Sequence, residues 1–131
     1  MIQICKRLKQ SETGATAIEF SLVALMAITI FLGIIEFGRG LYMRNEMSYA
    51  VDIAARKILT NPVVAESELE TLIRDAITFG ASNDLAVSFG TVTIDGTPFR
   101  SLFVSYPVTL LIPNLNNGNF TLSINRRVPL T

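Results

Sequence analysis

The sequence predicts an α+β protein with a long N-terminal helix, one short helix and a small antiparallel sheet of three or four strands. Three patterns carry this prediction. A long apolar run lies near the start of the chain, apolar residues then recur at spacings of three and four, and apolar and polar residues alternate after residue 84. Because the chain has 131 residues, we expect one domain, or one small domain with an appendage.

The first predicted element is a helix that is apolar on every side. Residues 15–35 contain one charged residue, Glu19, and a helix of about 20 residues crosses a hydrocarbon layer ~30 Å thick. A secretory signal peptide has a shorter apolar region, of about 7–15 residues, followed by small residues at its cleavage site. We therefore predict a retained transmembrane helix over residues 15–38. Three basic residues precede the helix, and Arg39 and Arg44 follow it. This small difference in charge favours a cytoplasmic N-terminus only weakly.

The same helix is predicted to continue as an amphipathic extension over residues 39–60. Its apolar stripe consists of Met47, Ala50, Val51, Ala54, Ala55, Ile58 and Leu59. Asp52 and Arg56 stand four residues apart, which predicts an ion pair contributing about 0.2–0.5 kcal/mol. The helix should end at Asn61, because a residue that precedes a proline disfavours helical geometry.

Residues 61–131 are predicted to form a small α+β head domain. The spacing of Ser67 and Glu70 predicts a capping box at the start of the second helix, and Gly80 is expected to stop that helix. A domain of this size buries little apolar surface by itself. We therefore expect its sheet to pack on the amphipathic half of the long helix.

The sheet is predicted from alternation over residues 85–94, 102–112 and 120–124, with a polar loop at 113–119. Asp95-Gly96 predicts a tight hairpin turn. The alternation changes parity at Gly90, which predicts a bulge there. Pro107 predicts a sheet edge or an irregularity, because proline cannot donate to a strand ladder.

Composition excludes several classes of function. The chain has no histidine, so Ser-His and Cys-His nucleophile pairs cannot form and the main transition-metal ligand is missing. The one cysteine, Cys5, cannot form an intrachain disulfide. We predict no enzymatic activity, no catalytic residue, no cofactor and no metal. The formal net charge of zero gives no reason to expect a nucleic acid partner.

Glu19 is the strongest functional candidate, because a charge deep in a bilayer costs roughly 2.5–3.5 kcal/mol. If a peptidase cuts between Gly14 and Ala15, the new α-amino group, with a pKa of about 7.7–8, lies one helical turn from Glu19. In an array of helices, the amine of one subunit could then neutralise Glu19 of another. Alternatively, the carboxylate reaches the headgroup region from an ordinary anchor helix. The residues alone leave both interpretations open.

Two blocks of sequence resemble known families. The run from Gly14 to Phe20, followed by an apolar helix, resembles the class III signal peptide of type IV pilins. A second block is similar to the TadE-like family, the minor pilins or pseudopilins of the tight-adherence (Flp, type IVb) pilus system. It comprises Gly33, Glu36, Phe37, Gly38 and Arg39, then Tyr42, Arg44, Asn45 and the run Ala54-Ala55-Arg56.

The resemblance covers about residues 12–57 and shows two departures. Ala54 stands where the family often has glycine. Phe20 stands where the major pilins usually have tyrosine, which favours a minor component over the main fibre subunit. Glu36 and Arg39 are open to two interpretations, a contact specific to the family or an ordinary i,i+3 ion pair.

The resemblance implies a pilin-like lollipop whose leader, residues 1–14, is removed by a membrane-embedded prepilin peptidase. Glu19 and Phe20 would align subunits, and the protein would be a building block in pilus assembly and cell adhesion. The implied partners are the membrane, the peptidase, other pilin and pseudopilin subunits and the assembly platform. The implied location is the inner (cytoplasmic) membrane, with a cytoplasmic N-terminus and a periplasmic head, and the pilus surface after assembly. The alternative is an unprocessed single-pass anchor with an extracytoplasmic binding domain.

Overall fold

The computed structural model describes residues 12–80, 82–110 and 119–130. It contains helix α1 (Glu12–Thr60), helix α2 (Glu66–Ala76), a short 3-10 turn (Ser82–Asp84) and strands β1 (Ala86–Ile94), β2 (Thr97–Thr109) and β3 (Asn119–Pro129). The α+β prediction is confirmed. Residues 1–11 of the predicted leader, and the predicted loop up to residue 118, lie outside the described residues. Intramolecular contacts divide the chain into two units, with the boundary between Ile35 and Glu36.

Helix α1 ends where the proline predicts. The hydroxyl of Thr60 bonds back to the carbonyl oxygens of Arg56 and Lys57, at 3.2 and 3.0 Å. The backbone N–H of Asn61 donates to the Lys57 carbonyl at 2.9 Å. The last carbonyl groups of the helix therefore find partners before Pro62 stops the helical ladder.

The hydrophobic core lies between the C-terminal part of α1, helix α2 and the inner face of the sheet. Five residues of the predicted stripe are fully buried: Met47, Ala50, Val51, Ala54 and Ile58. They cluster with alternate residues of β2 and with residues of α2 and β3, including Leu102, Val104, Val108, Leu69, Ile73, Leu122 and Val128. Fully burying one large apolar side chain stabilises a fold by about 1.5–3 kcal/mol. The prediction that the sheet packs on the amphipathic segment is confirmed, although Leu59 of the same stripe is exposed.

The three strands form one antiparallel sheet in the order β1-β2-β3. β1 and β2 are joined by the predicted turn, in which Asp95 has φ 50° and Gly96 has φ 81°. Positive φ at both central residues defines the turn whose twist matches a two-residue hairpin, and Asp-Gly is among its preferred dipeptides. The hairpin prediction is confirmed.

The predicted bulge at Gly90 is wrong. β1 pairs with β2 residue for residue from Ala86 opposite Ser105 to Ile94 opposite Thr97, and Gly90 lies opposite Ser101 without a break. A Cβ at position 90 would lie 2.9 Å from the Ser101 hydroxyl oxygen, so the glycine relieves close packing between strands. The parity change arises because β1 carries apolar residues on the outer face of the sheet after this point.

Pro107 lies in the central strand, but at a point where that strand has one neighbour. The pairing of β1 with β2 extends only to Ser105, whereas Pro107 still pairs with Thr121 of β3. The strand is locally an edge at this position, as the proline predicts.

The predicted capping box at the start of α2 is wrong. The N-cap is Ala65, which makes no side-chain capping bond, and Ser67 already lies inside the helix, where its carbonyl accepts the Thr71 hydroxyl at 2.8 Å. Acidic residues in the first turn, Glu66 and Glu68, favour this start through the helix dipole. The helix also ends at Ala76, before Gly80.

The predicted ion pair between Asp52 and Arg56 is replaced by a tertiary one. Asp52 of α1 accepts from Arg126 of β3. The neighbouring Lys57 pairs with Glu68 of α2 at 2.8 Å. Both pairs are half-exposed and so contribute only about 0–1 kcal/mol each. They nevertheless connect α1 with the strand and the helix that pack on it.

Candidate functional site

The predicted cleavage and alignment residues all lie on the first turns of α1. Gly14, Ala15, Glu19 and Phe20 are exposed, and 73 % of Phe20 is accessible. A Cβ built on Gly14 would meet nothing within 4 Å. The glycine therefore makes no packing contact among the described residues, although it weakens the helix locally by about 1 kcal/mol relative to alanine.

The segment that follows these residues is long and apolar enough to cross a membrane. An 18-residue window of α1 has a mean hydropathy of 2.4 and none of it is buried. Its large apolar side chains point outward on every side of the helix, for example Ile18, Leu25, Phe31 and Ile35. An apolar surface of this extent needs an apolar surrounding. The helix therefore indicates membrane anchoring.

The polar groups of this segment differ in how they are satisfied. The hydroxyl of Ser21 donates to the Ile18 carbonyl at 2.7 Å, and that of Thr29 donates to the Leu25 carbonyl at 2.8 Å. Such back-bonding lets a hydroxyl enter hydrocarbon without an unmet donor. The carboxylate of Glu19, in contrast, has no hydrogen bond or ion pair with any residue that the structure describes. Glu19 is therefore a charged group of this apolar segment that still needs a partner.

Glu36 and Arg39 form the i,i+3 ion pair of the ordinary interpretation, at 3.5 Å. Arg39 does more than this, because its guanidinium also donates to the carbonyl oxygen of Thr109 at the end of β2. Its Nε is buried and has no partner among the described residues. Arg39 thus ties α1 to the central strand. A contact 70 residues away along the chain leaves no signal in the local sequence.

The other residues of the second block fall into two groups. Phe37 is exposed, and a Cβ on Gly33 or Gly38 would meet nothing within 4 Å, so neither glycine is required by a packed neighbour in the described chain. Asn45 and Arg56 lie further along α1, each lining a shallow cavity beside β3, of about 420 and 230 Å³ respectively. The structure brings Glu36 and Arg39 together, whereas Asn45 and Arg56 line two separate cavities further along the helix.

Glu46 is a charged anchor that sequence reasoning missed. Its carboxylate accepts from the Tyr42 hydroxyl, and from both the backbone N–H and the hydroxyl of Thr78, at 3.1 and 2.7 Å. The hydrogen bond from Tyr42, followed by that from the Thr78 side chain, holds the pKa of Glu46 below its ordinary value of 4.5. These bonds hold the segment after α2 against α1. The i,i+4 spacing of Tyr42 and Glu46 was a visible signal, whereas Thr78 was not.

We expect acid to remove the contribution of Glu46 to stability. Because the pKa is lowered in the fold, that contribution is complete above pH 4.5 and is lost as the pH falls through the folded pKa. Glu46→Gln should therefore flatten the fall in the unfolding midpoint between pH 6 and pH 3, measured by pulse proteolysis of the full chain in detergent. Tyr42→Phe, which removes the largest cause, should flatten it in part. Equal acid sensitivity of all three proteins would contradict this role.

Together, the fold and these residues define an α+β protein whose apolar N-terminal helix suits it to a membrane. Residues 14–56 match the family model described as TadE-like protein, which confirms the resemblance seen in the sequence. The match covers this N-terminal part of the chain and suggests a protein related to the Tad pilus, and the matched family is structural rather than enzymatic. Neither a curated protein nor a solved structure matches the chain.

Proposed function

We propose that this chain is a minor pilin, or pseudopilin, of a Flp/Tad type IVb pilus. In this proposal a prepilin peptidase cuts after Gly14, and the mature protein is incorporated into the pilus or needed for its assembly in adhesion. The observation that carries the proposal is the carboxylate of Glu19, exposed on an apolar helix and without a partner among the described residues. It lies in the segment that matches the TadE-like model.

Cleavage supplies a positive charge that can pair with the carboxylate of Glu19. The cut leaves Ala15 with a free α-amino group, whose ordinary pKa of about 7.7–8 keeps a large share of it protonated at neutral pH. Ala15 and Glu19 are four residues apart on one helix. When mature helices pack side by side, the amine of one subunit meets Glu19 of its neighbour and removes a penalty of roughly 2.5–3.5 kcal/mol. Phe20 adds an apolar contact beside this pair.

The second block supports packing between subunits in the same proposal. Gly33 and Gly38 leave open space on the surface of α1. In membranes, small residues let helix backbones approach one another closely. We therefore assign these glycines to contacts with neighbouring pilin or pseudopilin helices. Phe37, Asn45 and Arg56 are also exposed on α1, where neighbouring subunits can contact them.

The same proposal includes a location for the protein and a set of partners. Before assembly the protein spans the inner membrane once, with its N-terminus in the cytoplasm and its head in the periplasm. The basic residues of the leader, Lys6, Arg7 and Lys9, favour this orientation. Its partners are the prepilin peptidase, other subunits and the assembly platform, and assembly moves it to the pilus at the cell surface.

A second candidate function is an unprocessed single-pass anchor with an extracytoplasmic binding domain. One observation favours it. Helix α1 begins at Glu12 and runs through Gly14 and Ala15 without interruption, so the bond proposed for cleavage lies within a helix. In that case Glu19 is a carboxylate that reaches the headgroup region.

The two candidates predict different N-termini. We expect a mature chain that begins at Ala15 in cells that have the peptidase, and a chain that retains its leader in cells without it, as measured by intact-mass analysis. Gly14→Leu should block the cut, whereas Gly14→Ala should retain it at a similar or lower level. Because position 14 is open, neither substitution disturbs a packing contact of the described chain. A retained leader in both strains, or efficient maturation of Gly14→Leu, would reject the proposal.

A further inference from the structure

Strand β1 forms an unprotected edge of the sheet. The order β1-β2-β3 leaves one side of β1 without a strand, and no other backbone hydrogen bond of the described residues reaches it. Natural proteins protect such edges with charged residues, prolines or bulges. The nine residues of β1, AVSFGTVTI, contain no charge and no proline, and their pairing with β2 has no bulge.

The apolar side chains beside this edge are incompletely covered. Val87 and Phe89 lie on the inner face of the sheet but are only partly buried, whereas Leu102 and Val104, opposite them on β2, are fully buried. On the outer face, 43 % of Val92 and 41 % of Phe103 are exposed. Both faces at this edge would therefore gain burial from one more strand.

The opposite edge, β3, is built differently. It carries two arginines near its end, Arg126 and Arg127, and a terminal Pro129, which are features that oppose edge pairing. Helix α1 also lies beside it, since Arg44 of the helix and Ser123 of the strand line the same cavity. An open-ended array in which β1 of one copy pairs with β3 of the next is thus disfavoured. β1 is better suited to a second β1.

We propose that β1 pairs antiparallel with β1 of a second copy of this chain, joining two three-stranded sheets into one. A two-fold axis near Gly90 places Ser88 of one copy opposite Val92 of the other, and Val87 opposite Thr93. This register keeps inner-face residues together and outer-face residues together. β1 itself contains no charge, and Arg100 of β2, whose guanidinium lies 5.9 Å from the centroid of the Phe89 ring, is paired with Glu66. No unpaired charge of β1 therefore repels a second copy, and main-chain hydrogen bonds supply the pairing. The pairing concerns the head and does not depend on cleavage or on pilus assembly.

Disulfide mapping in membranes tests this pairing. The full chain with Cys5→Ser is expressed as two differently tagged copies, one with Val92→Cys and the other with a single cysteine at position 86, 88 or 92. Because a disulfide requires Cα atoms within about 4.4–6.8 Å, the yield of mixed dimer should be highest for the Ser88→Cys copy. The matched controls, Thr121→Cys and Ser123→Cys, place an exposed cysteine on β3 and should give only background collision.

A charge variant tests whether the disulfide between positions 88 and 92 depends on pairing of the two β1 strands. Thr91→Glu with Thr93→Glu introduces like charges at exposed positions on the β1 strands of both copies. Because Thr91 lies opposite Arg100 of β2, a carboxylate there faces an opposite charge and should spare the fold of each copy. The variant should lower the disulfide yield between positions 88 and 92 about fivefold. Thr121→Glu with Ser123→Glu on β3 should leave that yield unchanged. A β1 yield no higher than that of the β3 controls, equal loss with both glutamate pairs, or crosslinking of β1 to a different protein would overturn the proposal.

Discussion

Glu19→Ala is expected to leave cleavage after Gly14 intact and to lower incorporation into pili by at least about 30-fold. Removing one partner of a buried, hydrogen-bonded charge pair costs about 2–5 kcal/mol, and each 1.4 kcal/mol corresponds to a factor of ten. In the variant the protonated α-amino group of a neighbouring subunit would be left in hydrocarbon without a counter-charge. The measurement compares the amount of the chain in sheared pili with the amount in the membrane fraction.

Two substitutions separate charge from helix packing. Glu19→Gln keeps the size of the side chain but removes its charge, so it should assemble as poorly as Glu19→Ala. Ser21→Ala is the matched control, because the Ser21 hydroxyl is already satisfied by the Ile18 carbonyl of its own helix. It should assemble normally. Normal incorporation of Glu19→Ala would refute the pairing with the neighbouring amine, and a defect in Ser21→Ala would point to packing instead.

Much of the fold was predictable because it follows from local patterns. The spacing of Met47, Ala50, Val51, Ala54 and Ile58 is set by the geometry of one helix, and all five proved to be buried. The hairpin turn likewise depends on two adjacent residues with the right conformational preferences. Such features need no knowledge of what the rest of the chain does.

The features that sequence reasoning missed depend on partners far along the chain. Asp52 had a plausible partner four residues away, but Arg126 of β3 took its place. The bonds from Arg39 to Thr109 and from Thr78 to Glu46 also cross between elements. A one-dimensional pattern cannot rank a local pair of about 0.2–0.5 kcal/mol against a tertiary pair of similar strength.

The residues of the candidate site also differ in whether the local sequence or only the fold reveals their contacts. The sequence alone singles out Glu19, because a carboxylate within an apolar run is costly wherever the helix lies in a membrane. Its role in aligning subunits stays a prediction. The second role of Arg39, as a tie to the end of β2, required the fold. Gly33 and Gly38 are a third case. Their surroundings in the described chain are open, so no packed neighbour there requires glycine, and the proposed contacts between subunits cannot be seen in one sequence or in one chain.

Gly80→Ala is expected to be among the most destabilising small substitutions in the head. Gly80 has φ 68°, and a Cβ there would lie 2.0 Å from the hydroxyl oxygen of Tyr106 and 2.7 Å from its Cζ. The Tyr106 ring packs edge-on against Phe79, with ring centroids 5.1 Å apart, so it has little room to move. Left-handed backbone costs a non-glycine residue about 1–2 kcal/mol, and overpacking adds about 1–3 kcal/mol. The free energy of unfolding should therefore fall by about 2–5 kcal/mol, as measured by pulse proteolysis of the full chain in detergent.

Gly96→Ala is the matched control for backbone strain. Gly96 also has positive φ, 81°, but a Cβ there would meet nothing within 4 Å, so this variant should lose only the backbone contribution of about 1–2 kcal/mol. The double variant Gly80→Ala with Tyr106→Phe removes the nearest clashing atom and should recover part of the loss, because the ring carbon at 2.7 Å remains. If Gly80→Ala is no more destabilising than Gly96→Ala, the Tyr106 ring can yield. The segment after α2 is then held by the bonds from Thr78 to Glu46 rather than by close packing.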